Sequence, residues 1–538
     1  MPHTVRRASV HSALIVLSLV SIALLSACAP LGTAATATPT PAATVPPTPT
    51  FIPTVTPVPP TPTPIISANC QDALGARGRI LDRNGVLLAY SVKDPLSPGG
   101  WRRRYPFPSL SPIIGYFSPI YGVTGVEKYN DQVLSGQSAQ DCGSDVYLNI
   151  DTRIQTKVDQ VFSNDANTAQ TCDGTESGSI IVEDPRNGAI LAMVSRPYFN
   201  ADTLGNMAPA ADNPKTTIAA EYWQTLLKDT CSILLNRALQ GQYVPGSDFK
   251  TLTLLAALDG GSLASNFTFN QAQAMSFVVN GFTINSNNLD AYSLSVEPPS
   301  FPMDLAHAFA YSDNVVFARV GVQMGADMLT AYAQRFALST PGNVQPVPID
   351  TDPGATSPSY LYTSGTLDPV SLATTAYGQG QIFLTPLTMQ MIVGAVAGDG
   401  KLFAPRFTFK IVPHDTNPTT IQANAPVFLG QVMSATTAQY LRKAMHDVVR
   451  FGSVQSSGTA WSSVYNSPDD IGGKTGTGQT SGQHPATWFL SLAPDDDYAG
   501  AHGPARIAMT VMKDQGTEGA YESLLTPPIY DFALPLEP

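Results

Sequence analysis

Apolar residues in this chain come in short clusters divided by turn-forming residues, and the clusters follow two different periods. Asp145-Val146-Tyr147-Leu148-Asn149-Ile150 predicts a strand. Asp151 then caps a helix with apolar positions at Ile154, Val158, Val161 and Phe162. Ser179 to Asp184 and Ala189 to Val194 flank Pro185-Arg186-Asn187-Gly188, the pattern of a hairpin. Earlier, Arg79 to Ala89 holds two short apolar runs about Asn84-Gly85, a strong short-range hairpin signal. Near the other end, Ala486 to Leu492 and Arg506 to Met512 predict buried strands, and Met303 to Val322, between these and the early strands, is helical in pattern. Strands early and late with helices between predict an α+β domain whose two ends close one sheet.

The densest apolar run is Phe249 to Leu258, apolar nearly all round the helical period, so this helix is predicted to be wrapped by protein on every side. Pro245-Gly246 reads as a turn before it, and Asp259-Gly260-Gly261 as its stop. Ser247 falls where the helix would begin, with Lys250 one turn on along the same face. An amine beside a hydroxyl, its charge open to tuning by burial, can make serine nucleophilic. Taken alone, the pair also fits an N-cap serine followed by a surface lysine.

Composition narrows the setting. The 538 residues are enough for two or three domains with at least one large core. A net charge of −12 argues against a nucleic-acid or anionic-lipid surface. The chain opens with Arg6-Arg7 and an apolar run from about Ala13 to Ala27, the pattern of an export signal. That run is shorter than the roughly 20 residues of a spanning helix. It ends in Leu25-Ser26-Ala27-Cys28, which resembles the bacterial lipobox, where cleavage precedes a lipidated cysteine. The alternative is an uncleaved anchor that contains Cys28. Either tethers the rest of the chain to the outer side of the cytoplasmic membrane. From Ala29 to about Ser67 the chain is Pro, Thr, Ala and Val with no charge, predicting an extended spacer. At about 3.1 Å per residue, it reaches on the order of 100 Å from the anchor.

With Cys28 set aside, Cys70, Cys142, Cys172 and Cys231 form an even set in an exported chain. Of the three connectivities, Cys70–Cys142 with Cys172–Cys231 is the one expected. The seven histidines are scattered, without metal-binding spacing, and no metal or cofactor is expected.

Two further motifs answer Ser247. Ser312-Asp313-Asn314 sets a hydroxyl and an amide two positions apart in a polar break of a helical region. Gly472-Gly473-Lys474-Thr475-Gly476-Thr477-Gly478 has the glycines of a strand that another backbone or a ligand approaches closely. Gly-Lys-Thr also invites a phosphate-loop reading, but the position that loop needs as glycine is Pro468. Ser-x-x-Lys, Ser-Asp-Asn and Lys-Thr-Gly in that order are the motif set of β-lactamases and penicillin-binding proteins.

With these motifs, and with Arg77 to Gly85, Leu235 to Gly241, Tyr377-Gly378-Gln379-Gly380 and Thr385-Pro386-Leu387, the chain resembles the class B penicillin-binding proteins, the peptidoglycan transpeptidases. The resemblance spans roughly Arg77 to Met512. It implies a penicillin-binding transpeptidase fold, an antiparallel sheet flanked by helices with an all-helical subdomain, preceded by a small β-rich N-terminal domain. The division expected is 1–28 signal peptide with lipobox or anchor, 29–68 linker, 69–150 N-terminal dimerisation or pedestal-like domain, and 151–538 transpeptidase domain.

The resemblance further implies roles. Ser247 would attack the carbonyl between the last two D-alanines of a stem peptide, and Lys250 would accept its proton. Ser312 would relay a proton to the departing D-alanine, and Asn314 would hold the substrate amide. Lys474 would supply positive field, while Thr475, Gly476 and Thr477 bind the terminal carboxylate. Backbone N–H groups of Ser247 and Thr477 would form the oxyanion hole. β-Lactams would acylate Ser247, and partners among the cell-wall synthesis proteins are implied. A D,D-carboxypeptidase, a β-lactamase and a non-catalytic wall-binding scaffold or β-lactam sensor remain the other readings. Two features depart from the family: the lipobox-like end with its long spacer, and a short N-terminal piece.

Overall fold

The computed structural model describes residues 77–135, 143–165, 176–286, 299–413, 421–451, 460, 462–479, 484–494 and 505–537. The expected signal and lipobox, the 29–68 spacer, and Cys28, Cys70, Cys142 and Cys172 lie outside the described residues. All described residues belong to one compact unit.

A five-stranded sheet carries the site. Its order is Gly472–Gly478, Ala486–Ala493, Ile507–Lys513, Gly178–Asp184, Ala189–Arg196, antiparallel throughout. Both ends of the domain therefore close one sheet, as the strand pattern predicts. The hairpin at Pro185–Gly188 forms where expected, with Gly188 at φ 73°. One face packs on the Thr152–Ser163 and Pro527–Ala533 helices; Asp151 caps the former by accepting from the Arg153 N–H. The other face is covered by Pro386–Ala397, a helix buried along its whole length.

A second sheet of six strands joins the N-terminal piece to the middle of the chain. Ser144–Leu148 pairs in parallel with Ile80–Leu81 on one side and antiparallel with Thr408–Pro413 on the other. The Asn84-Gly85 hairpin links Ile80–Leu81 to Leu87–Lys93. Beside this sheet, Glu127 is wholly buried between two arginines: Arg77 Nε lies 2.6 Å and Arg103 Nε 2.7 Å from its oxygens.

The helical subdomain is built around Lys250–Asp259. Eight of its side chains are buried, from Lys250 to Ala257, which agrees with the all-round apolar pattern. The helices Leu305–Ala310, Asn314–Met324, Ala326–Gln334 and Ala435–Phe451 enclose it. Among the described residues no helix is long and apolar enough to cross a membrane.

Candidate active site

Ser247 sits in a single 3-10 turn, Gly246–Phe249, and the α-helix proper starts at Lys250. The sequence pattern places Ser247 at the helix start; the structure sets it one tight turn ahead of the α-helix, still within reach of Lys250. Close backbone packing forces this geometry. A β-carbon on Gly246, which has φ 57°, would lie 2.4 Å from the Thr477 carbonyl oxygen and 2.7 Å from its nitrogen. A β-carbon on Gly476 would stand 2.6 Å from the Pro245 oxygen, and one on Gly478 would meet the Val244 oxygen at 1.8 Å. Gly476 and Gly478 of the Lys474 strand thus let the Ser247 turn lie directly on that strand.

From there the three motifs converge. Lys250 Nζ lies 2.6 Å from Ser247 Oγ, 2.9 Å from the Ser312 carbonyl oxygen, 2.7 Å from Asn314 Oδ1 and 3.2 Å from Ser312 Oγ. Lys474 Nζ donates to Ser312 Oγ at 2.9 Å and to the Thr475 carbonyl oxygen at 2.8 Å. Ser312 is therefore shared by both lysines. It holds φ 57°, a left-handed backbone that costs a serine about 1–3 kcal/mol. The contacts to its carbonyl and hydroxyl fix that turn between Leu305–Ala310 and Asn314–Met324. Asp313 caps the second helix, accepting from the Val315 and Val316 N–H groups.

Both lysines are fully buried. Burial, then repulsion by Lys474, drives Lys250 well below the usual lysine range, with Asp313 and Asp248 opposing. Burial brings Lys474 down to about 8 against the pull of Asp248. The hydrogen bonds of Lys250 suit a neutral amine. A carbonyl oxygen and an amide oxygen only accept, so they take its two N–H groups. In the ammonium the third N–H goes to Ser247 Oγ; in the neutral amine, which burial favours, the lone pair is free to accept from that hydroxyl. Such an amine is placed to take the proton as the oxygen attacks.

Thr475 is buried and Thr477 half-buried on the same strand, two positions apart and so on one face. The Gly519 N–H donates to Thr477 Oγ1 at 3.2 Å, and Gln379 Nε2 to the Thr477 carbonyl at 3.2 Å. All of Ser247, Lys250, Ser312, Asn314, Lys474, Thr475, Gly476 and Thr477 thus lie in one cluster.

The sequence reading gave no role to several residues here. Trp488 Nε1 donates to the Val244 carbonyl at 3.0 Å and anchors the chain leading into the Ser247 turn. Asp248, next to the serine, is wholly buried. Glu522 is buried behind Thr487, whose hydroxyl donates to it at 2.7 Å. The one local signal was a charged residue inside an otherwise apolar window, and a solvated turn gives the same signal. Cys231 is disulfide-bonded. Among the described residues no group of three or more His, Cys, Asp or Glu side chains could hold a metal ion.

The family model of the penicillin binding protein transpeptidase domain matches residues 178–531, and that of the penicillin binding protein A dimerisation domain residues 77–159. The chain is 30% identical over 457 residues to the peptidoglycan D,D-transpeptidase PbpA of Mycolicibacterium smegmatis, covering 82% of this chain and 84% of that protein. It is similar to the imipenem acyl-enzyme complex of penicillin-binding protein A from M. tuberculosis, with TM-score 0.70, 25% identity and coverage of 86% and 99%. The D,D-transpeptidase domain of a peptidoglycan glycosyltransferase from Eggerthella lenta gives TM-score 0.67 at 27% identity, covering 86% of this chain and 99% of that one.

Proposed function

The chain belongs to the penicillin-binding protein transpeptidase family as a class B member, a serine D,D-transpeptidase of peptidoglycan, and we propose that Ser247, Lys250, Ser312 and Lys474 carry its chemistry. The observation that supports these roles best is the shared contact set of Lys250: one amine nitrogen within hydrogen-bond reach of Ser247 Oγ, Ser312 Oγ and Asn314 Oδ1.

The reaction runs in two halves. Ser247 Oγ attacks the carbonyl carbon of the D-alanyl-D-alanine bond while its proton passes to Lys250 Nζ. The negative oxygen that forms is held by the backbone N–H groups of Ser247 and Thr477, a role that the close packing of Gly246 on Thr477 supports. Lys250, now an ammonium, hands a proton through Ser312 Oγ to the leaving nitrogen, and D-alanine departs. Lys474 beneath Ser312 keeps that hydroxyl oriented and supplies positive field toward the substrate carboxylate, which Thr475 and Thr477 bind beside Gly476. Asn314 holds the substrate amide. An amine from a neighbouring stem then attacks the ester carbonyl carbon, and the bond to Ser247 Oγ breaks. The amine's proton passes along the same path to that oxygen, leaving the amide cross-link and the free serine.

A penicillin acylates Ser247 by the same first half. The work is done on the oxidising, outer side of the cytoplasmic membrane. The disulfide at Cys231 fits that location, and so does the export-signal pattern ending at Cys28. Cys172 is the partner proposed for Cys231, and Cys28 the lipidated anchor. The test is product analysis of the full chain given a D-alanyl-D-alanine stem peptide and an amine acceptor. Dimeric cross-linked product supports the reading; trimmed monomer alone would assign the acyl group to water and make the protein a carboxypeptidase.

A further inference from the structure

Gly472–Gly478 is an edge strand, with a strand neighbour on one side alone. Against it lies the Ser247 turn, and backbone groups that face this way find partners outside the ladder. The Thr477 carbonyl is such a group. Its oxygen stands 2.4 Å from where a β-carbon on Gly246 would lie, and it accepts from Gln379 Nε2 at 3.2 Å.

Gln379 belongs to a tight turn, residues 377–380, that follows the Pro369–Ala376 helix. Short backbone bonds fix the turn. The Gly378 N–H donates to the Thr375 carbonyl at 2.8 Å, and the Gln379 N–H to the Thr374 carbonyl at 3.0 Å. Gly378 and Gly380 hold φ 87° and 92°, left-handed values that glycine adopts without strain. The base of the turn is tied to the Lys250–Asp259 helix, where Thr253 Oγ1 donates to the Ala376 carbonyl at 2.7 Å. Beyond the turn, Tyr243 and Leu384 exchange two backbone hydrogen bonds, each 2.9 Å long.

From this fixed base, two adjacent residues reach the two halves of the site. The Gly378 carbonyl accepts from the Gly246 N–H at 3.0 Å, and a β-carbon on Gly378 would lie 1.7 Å from the Gly246 oxygen. Gln379 reaches across to Thr477, whose hydroxyl is held separately by the Gly519 N–H. One short turn therefore touches both the residue before the nucleophile and the strand residue beside it.

We infer that Gln379 is a positioning residue for acyl transfer: with Gly378 fixed on the Ser247 turn, its side-chain amide holds Thr477 at the spacing the oxyanion hole requires. The inference rests on the roles proposed above for the Ser247 and Thr477 N–H groups. Removing the amide leaves Thr477 with its ladder and its Gly519 contact, so the strand persists while its fine placement loosens. Oxyanion-hole donors act on charge that develops in the transition state, so the loss falls on rate rather than on substrate binding.

The test is the reaction of the full chain with penicillin G, resolved by rapid mixing into a noncovalent dissociation constant and an acylation rate constant. Wild type is compared with Gln379→Met, which keeps the length of the side chain and removes its N–H donor. A boronic acid bearing the phenylacetamido side chain is titrated in parallel, because its tetrahedral adduct on serine mimics the transition state. In Gln379→Met the acylation rate constant is expected to fall about tenfold. Boronate affinity should fall by a similar factor, with the dissociation constant and the melting temperature close to wild type. A merely structural role would lower the melting temperature and the fraction of protein that labels, with the rate constant per labelled site unchanged, and that result overturns the inference. So does a loss confined to the dissociation constant, which would make Gln379 a substrate contact. Should Gln379→Met fail to fold, Gln379→Leu is judged by the same two constants. Wild-type protein that is never acylated overturns the catalytic reading itself, and the inference falls with it.

Discussion

Lys250 Nζ stands 2.6 Å from Ser247 Oγ, and both lie against a sheet edge formed far away in the chain. The Ser312 carbonyl and Asn314 Oδ1 accept from the same nitrogen, so the neutral amine of the proposed mechanism has its lone pair left for the serine hydroxyl. Replacing Lys250 by Met keeps much of the buried volume and removes the base. Acylation by penicillin is expected to drop about 10²–10⁴-fold with the fold retained. Circular dichroism and acylation rates on one sample check both halves of that statement.

On the roles proposed for them, the two lysines set the pH profile of the wild-type enzyme. Protonation of Lys250 removes the base, so activity falls on the acid side at a pH well below the ordinary lysine range. Loss of the Lys474 proton removes the positive field, so activity falls on the alkaline side near its value of about 8. A bell-shaped acylation profile is expected, and Lys474→Met should abolish its alkaline limb.

Gly476, lacking a side chain, lets the Ser247 turn lie directly on the sheet edge. Its β-carbon would meet the Pro245 oxygen at 2.6 Å and the Asp248 carboxyl carbon at 2.9 Å. Gly476→Ala should push the strand off the turn, with a stability loss of roughly 1–3 kcal/mol. Acylation should fall by at least about tenfold, because small displacements of reacting groups are costly. Thermal melts and penicillin labelling report the two effects separately.

Glu183 sits in the central sheet, fully buried, and burial raises its carboxyl from 4.5 to about 8, reinforced by Asp184 and opposed by Gln390. The folded state therefore keeps this proton after the unfolded chain has released it. Stability is lost as pH rises from about 4.5 to about 8, and the penalty is complete above that window. Glu183→Gln should raise the melting temperature at about pH 8.5, by on the order of a few kcal/mol in stability, and bring little gain at about pH 4.5. Urea titrations at those two values check the sign.

Much of this architecture was legible because its signals are local. Asn84-Gly85 and Asn187-Gly188 force turns through backbone conformation alone, and Asp151 caps a helix whose apolar stripe is plain. The three motifs were legible as an ordered set, since their chemistry requires the same residue types wherever they stand. What escaped depends on distant partners. Thr408–Pro413 shows no clean alternation, and it is a strand because Ser144–Leu148 offers it a ladder. Ser247 adopts a 3-10 turn because Thr477 and Gly378 press on Gly246, whose carbonyl oxygen would lie 1.7 Å from a β-carbon on Gly378. Asp248 and Glu183 look like ordinary surface acids until the Lys474 strand and the Pro386–Ala397 helix cover them.

The central claim is that one half-buried serine, Ser247, becomes the acyl carrier. Intact-mass measurement after exposure to penicillin G tests it most directly. Wild-type protein should gain the mass of one intact penicillin, placed on Ser247 by peptide mapping, and Ser247→Ala should gain nothing. An adduct that persists in Ser247→Ala, or one mapped to another residue, would contradict the account.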